Sequence, residues 1–159
     1  MQKVDNQNVG NAGEYFFAHI LSANGFTATI TLGRAEKFDI MAVSPNGKTI
    51  KIQVKTLFGS GVQWRMGEKD GSRSEKDLFY TFVRLNDLES QPDYWIFPSE
   101  VVSKYISKVH PKWLNTLGKD GQKHNDGPWR SFRIKSDKYT PSNWTEFCKK
   151  HEKNISLLK

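Results

Sequence analysis

The sequence predicts an α/β domain, and three observations carry that prediction. A stripe of apolar residues at helical spacing lies near the N-terminus. Several runs of strand-forming residues alternate with polar ones behind it. Turn residues of defined chemistry separate the runs. The chain has 159 residues, enough for one domain with a real core. No repeat and no second-domain linker stands out.

The elements follow in order. Residues 1–10 read as loose. Asn11 caps an expected helix to about Ala23, ended by Asn24-Gly25 because Gly adopts the left-handed cap conformation. Glu14, Phe17, Ala18 and Leu21 share one face of it. Phe26 to Leu32 alternates and is β-branched, a first strand; residues 33–37 link it onward. Phe38 to Thr56 then reads as a hairpin, with strands at about 38–44 and 49–56 around the turn Ser44-Pro45-Asn46-Gly47. Val62 to Met66 suggests a short edge strand, and residues 67–77 a polar, mobile loop. Leu78–Leu85 and Tyr94–Phe97 are further strands. Ser99 is placed to cap a helix from Glu100 to about Lys108, broken by His110-Pro111. Trp113 and Leu114 form one expected turn, and residues 118–128 a loop. Trp129–Ile134 reads as a strand, and Thr140-Pro141-Ser142 starts a helix to about Glu152.

The hairpin carries the chemistry. Ile50, Ile52 and Val54 point one way along the second strand, and Lys51, Gln53 and Lys55 the other. Asp39 opens the first strand, within side-chain reach of Gln53 and Lys55 across the hairpin. A carboxylate, an amide oxygen and an ammonium converging on one spot suit a hard divalent cation held beside a phosphate. Glu14 sits at the edge of the helix face that meets the sheet. As a first-turn acid it would also favour the helix dipole. Glu36 is an alternative acid, with a plain solvated loop side chain as the competing reading.

These residues resemble the PD-(D/E)XK phosphodiesterase superfamily, which includes many restriction endonucleases, junction resolvases and repair nucleases. The pattern is matched by Asp39, by Gln53-Val54-Lys55 and by the helix acid Glu14. Phe38 stands where the family name has proline, and Gln53 where most members carry a carboxylate. The resemblance covers about residues 10–108, leaving 109–159 as a basic C-terminal extension. It implies a restriction-endonuclease-like mixed central sheet flanked by helices. It implies a Mg²⁺-dependent endonuclease, with Mn²⁺ as substitute, acting on double-stranded or branched DNA. Asp39, Gln53, Glu14 and the Val54 carbonyl would hold the ion, and Lys55 would orient the attacking water. Cutting both strands would favour a two-fold dimer.

Composition narrows the classes. The net charge is +7, and residues 101–159 hold 13 Lys and Arg against 5 Asp and Glu, a balance of +8. That asymmetry suits a polyanionic partner, with a solvated surface as the bland alternative. Arg65, Arg73, Lys123, Arg130 and Arg133 are the candidate nucleic-acid contacts. Trp64, Trp113 and Trp129 have rings able to stack on bases, with core or edge packing the preferred reading for each. His19 and His110 read as structural, and His124 lies in the basic loop. Cys148 is the single cysteine, which excludes an internal disulfide and a cysteine zinc cluster. A reducing cytoplasm is the simplest setting, given no membrane span and no signal-peptide core. Two other functions fit the same residues: a non-catalytic nucleic-acid binder, favoured by Gln53, and a protein-interaction or inhibitor module, suggested by five Trp and ten Phe.

Overall fold

The computed structural model describes residues 5–31, 38–86 and 90–159. The element order is α1 (Asn6–Ala23), β1 (Thr27–Ile30), β2 (Ile40–Val43), β3 (Thr49–Leu57), β4 (Gln63–Gly67), β5 (Leu78–Arg84), β6 (Asp93–Pro98), α2 (Ser99–Leu114), β7 (Trp129–Arg133) and α3 (Trp144–Lys149). Short 3-10 turns occupy Glu68–Gly71 and Ile155–Leu158. The expected strand end at Leu32, the link 33–37 and the alternative acid Glu36 lie outside the described residues.

Five strands form a mixed sheet in the order β1-β2-β3-β5-β6. The hairpin β2–β3 is antiparallel, with Ile40 opposite Ile52 and Val43 opposite Thr49. Its turn closes through Gly47 N donating to Ser44 O at 2.8 Å, and Gly47 takes φ 78°, where a side chain would be strained. β3 pairs with β5 in parallel, and β5 with β6 antiparallel. One core joins α1 to one sheet face through Phe17, Leu21, Ile50, Ile52, Phe79 and Ile96. The other face packs on α2, α3 and the two-stranded β4–β7 ribbon through Trp64, Tyr80, Phe82, Phe97, Tyr105 and Phe132. Phe82 and Phe132 stack with centroids 4.2 Å apart, so β7 is fastened to the central sheet.

Several boundaries differ from the sequence reading. α1 begins at Asn6, before the expected cap Asn11, because Val9 is buried and draws residues 6–10 into the helix. α2 runs through His110-Pro111 to Leu114. Pro111 forfeits one backbone bond, yet Val109 is buried, His110 Nε2 pairs with Asp126 Oδ1 at 2.9 Å and Trp113 stacks on His124 at 4.1 Å, so packing holds the last turn. Ser99 is no cap: its hydroxyl donates to Glu75 O and accepts from Glu75 N, both at 2.8 Å. α3 is shorter than expected because the chain after Lys149 turns along β6, with Ile96 N donating to His151 O and Lys153 N to Tyr94 O. That segment covers the outer edge of the sheet, which would otherwise offer unpaired backbone groups.

Gly13 marks where α1 meets the sheet. A Cβ there would lie 1.9 Å from Thr56 Oγ1 and 2.9 Å from Thr56 Cβ. Glycine costs a helix interior about 1 kcal/mol relative to alanine, and here it permits close approach to β3. Gly13→Ala is expected to lower unfolding free energy by about 1–3 kcal/mol in a denaturant titration, with part regained in Gly13→Ala/Thr56→Ala. An unchanged midpoint for Gly13→Ala would contradict this packing.

Candidate active site

Hairpin register brings the predicted polar residues together. β3 has nine residues, whereas β2 pairs with only its first four, Thr49–Ile52. Asp39 sits just before β2, its N–H donating to Ile52 O at 2.9 Å. Its carboxylate therefore meets the stretch of β3 that β2 does not cover. Asp39 Oδ2 accepts from the Val54 N–H at 2.6 Å and from the Gln53 side-chain amide Nε2. A residue's N–H and C=O leave a strand on the same edge, so the Val54 carbonyl also points to this edge.

Asp39 is half-buried, and burial raises its pKa above the ordinary carboxylate value. The Val54 hydrogen bond, the charges of Lys55 and Arg73 and the Gln53 amide oppose that rise without cancelling it. Glu14, carried to the sheet on the turn of α1 that contains Gly13, is half-buried as well. Its pKa is raised by burial first and by the Asp39 charge second. The two acids thus share an electrostatic neighbourhood and would both gain from a cation.

Lys55 lies on the same side of β3 as Gln53, two residues along. Its Nζ stands 3.9 Å from Asp70 Oδ2, with side-chain exposures of 26% and 12%. Asp70 was not singled out in the sequence. It sits in the 3-10 turn that replaces the expected mobile loop at 67–77, and it is fixed from two sides. Tyr80 OH donates to Asp70 Oδ1 at 2.6 Å, and Gly67 N donates to Asp70 Oδ2 at 2.8 Å. Burial and then Asp70 raise the Tyr80 pKa strongly, so the phenol stays a donor. The rest of the segment is stapled to α2 through Ser99 and through Ser103 Oγ, which donates to Gly71 O at 2.8 Å. Arg73 is thereby turned inward. Its Nε donates to Glu75 Oε1 at 2.9 Å, and its charge acts on Asp39. The signal for Asp70 was an acid three residues after Gly67 in a turn-rich stretch, a spacing that bonds back to the backbone.

The other predicted contact residues lie elsewhere. Arg65 is exposed on β4, its guanidinium 3.3 Å from the Trp129 ring centroid. Arg130 bonds Asp126 and Gly127 O, and Arg133 bonds Asp137. Lys123 is exposed in the loop before β7. Trp64 is buried and donates to Val83 O at 3.0 Å, a core role, whereas Trp129 is 55% exposed. Lys51 pairs with Asp77 at 3.1 Å and Glu75 at 3.7 Å, outside the Asp39 cluster.

Whether these groups fit a divalent ion turns on the donor set. Among the described residues no group of three or more His, Cys, Asp or Glu is close enough to hold a metal. What is present is one half-buried carboxylate, a strand-edge carbonyl, a neighbouring acid and an amide. A half-turn of the Gln53 amide exchanges its donor for its acceptor oxygen. Mg²⁺ takes few carboxylates and keeps several waters, so the set fits a weak site with exchangeable positions.

No protein-family model matches the chain, and no curated protein matches it. Among solved structures, the bacterial homing endonuclease I-Ssp6803I superposes with a TM-score of 0.57 at 12% identity, covering 98% of this chain and 92% of its own. The structure of MepB covers 87% of this chain and 93% of its own at 11% identity, but its TM-score of 0.37 is too low to carry weight. The chain therefore has a mixed α/β fold shared with a nuclease. No helix among the described residues is long and apolar enough to cross a membrane.

The raised acids make a stability prediction. Unfolded carboxylates titrate near about 4, and Asp39 and Glu14 titrate above that when folded. Across the interval the folded chain binds more protons than the unfolded one. Their contribution is most favourable at acid pH and declines as pH rises through the raised values. Asp39→Asn is expected to melt above the parent at pH 7 without divalent ions, the gap closing toward about pH 4. A lower melting temperature at pH 7 would refute burial as the dominant influence on Asp39.

Proposed function

We propose that the chain is a metal-dependent endonuclease of the PD-(D/E)XK type, hydrolysing phosphodiester bonds in DNA. The observation that carries this reading is the meeting of Asp39, the Gln53 amide and the Val54 backbone at one strand edge, with Lys55 on the same strand and Glu14 behind. The fold shared with a homing endonuclease supports it. So does the charge balance of +8 in residues 101–159.

Asp39, the Val54 carbonyl, Gln53 after amide rotation and Glu14 would hold Mg²⁺. A bound ion would supply charge relief at the phosphate and a more acidic water. Lys55 is the group that positions the attacking water and meets developing negative charge, a role worth most in a partly dry site. Asp70 lies 3.9 Å from the Lys55 ammonium and draws it toward the 3-10 turn. Arg73 contributes a second positive charge near Asp39. The Gln53 substitution removes one negative charge from the set, so ion binding by the free protein is weak and the substrate phosphate completes the site.

A second reading, binding without cleavage, draws on the same Gln53: its amide donates to the oxygen of Asp39 that an ion would need. Incubation of supercoiled plasmid, linear duplex and a four-way junction with Mg²⁺ or Mn²⁺ separates the two. Cleavage that falls by about 100-fold or more in Asp39→Ala and in Lys55→Ala is the expected result. Salt-sensitive binding with no cleavage by the parent selects the second reading. Calorimetric Mg²⁺ titration should give weak binding without DNA, tighter binding with it, and tighter binding by Gln53→Glu in both conditions. Tight binding by the free parent would contradict the role given to Gln53.

A further inference from the structure

Away from Asp39, a cleft of about 320 Å³ opens between the outer face of the β4–β7 ribbon and the C-terminal end of α2. Trp113, Trp129 and Tyr139 line it together with Arg130 and Arg133. The register that pairs Arg65 with Ser131 and Gly67 with Trp129 puts Arg65 and Trp129 on this same outer face. Arg65 covers one side of the Trp129 ring at 3.3 Å, while the residue as a whole stays 55% exposed. A large aromatic ring held flat by a guanidinium, and left open at the wall of a cleft, is a stacking platform. Trp113 is fixed at the opposite wall between His110 and His124. The Arg133 guanidinium pairs with Asp137, and its side chain stays 29% exposed at the cleft wall.

The size of the cleft selects among occupants. It lies at the small end of ligand pockets, which run from about 300 to 1,000 Å³, a size that suits one planar group better than a peptide segment. The lining holds Arg130 and Arg133 against one acid, Asp137, and residues 101–159 carry a balance of +8, which suits an anionic carrier for that group. Every nucleobase has a π-face, and an unstacked base attached to its phosphates meets both demands. A base inside a duplex cannot reach such a wall without leaving its stack.

We propose that this cleft receives a single unstacked nucleobase of a DNA strand, stacked on the Trp129 face that Arg65 leaves open. The flanking phosphates lie toward Arg133, and Gln63, which also lines the cleft, offers an amide to the base edge. The proposal rests on the reading of nucleic acid as the partner. It goes beyond that reading in assigning an extrahelical-base site separate from the hydrolytic cluster.

The full chain, in EDTA so that nothing is cut, is titrated with a short single-stranded DNA carrying one fluorescent adenine analogue, and with a fully paired hairpin duplex. The parent is expected to bind the single strand and quench the analogue. Trp129→Ala should bind it roughly 5- to 100-fold more weakly and lose the quench, while binding the paired duplex within about twofold of the parent. Trp129→Phe, which keeps an aromatic face, should recover both affinity and quench. Parent-like affinity and quenching in Trp129→Ala would overturn the proposal. So would equal losses on single strand and duplex, or failure of Trp129→Phe to recover either signal. Plasmid cleavage with Mg²⁺, measured beside these titrations, keeps the two readings apart. Cleavage without Trp129-dependent strand binding sinks the base site alone, and Trp129-dependent binding without cleavage sinks the nuclease reading alone.

Discussion

The structure depends on one mismatch of strand lengths. β3 continues for five residues beyond its last pair with β2, and the Val54 N–H at that uncovered edge has no strand to bond. A buried amide without a partner would cost about 1–3 kcal/mol. The Asp39 carboxylate supplies the bond at 2.6 Å. The same contact that satisfies the backbone also draws a carboxylate out of water, and burial then raises its pKa. Structural need and chemical potential coincide in that oxygen.

The surroundings are built to keep the edge open yet partly dry. On one side Gly13 lets α1 approach Thr56, which brings Glu14 beside Asp39. On the other, α2 holds the 67–77 segment through Ser99 and Ser103, which delivers Asp70 to Lys55 and Arg73 toward Asp39. Two elements far apart in sequence thus converge on a hairpin that could form locally. Acids that would prefer neutrality stand beside cations that favour their charge. Such an arrangement gives up some stability, as clusters of perturbed acids commonly do.

The hairpin and its polar face were legible because both are local. Alternation at Ile50, Ile52 and Val54 fixed the face of Gln53 and Lys55, and the Pro-Asn-Gly turn fixed the register that sets Asp39 opposite them. Asp70 was not legible as a site residue, and Arg73 was legible as a candidate nucleic-acid contact but not as a neighbour of Asp39. They lie in a polar stretch with no period, and their direction is imposed by serines of α2, about thirty residues away. Pro111 was read as a stop by a rule about lost hydrogen bonds, and the packing of Val109 and Trp113 outweighed it. The last helix is expected from the sequence to run to about Glu152. The demand of the β6 edge for backbone partners, which no local pattern reports, cut it short at Lys149.

The central claim is that the uncovered edge of β3 is an ion-assisted phosphodiester site. Anomalous diffraction from crystals grown with Mn²⁺ and a DNA duplex tests it most directly. The account predicts an anomalous peak against the Asp39 carboxylate and the Val54 carbonyl, with a phosphate oxygen completing its coordination and the Lys55 amine beside it. DNA bound with no peak at that edge, or with Gln53 still donating to an ion-free Asp39, would contradict it.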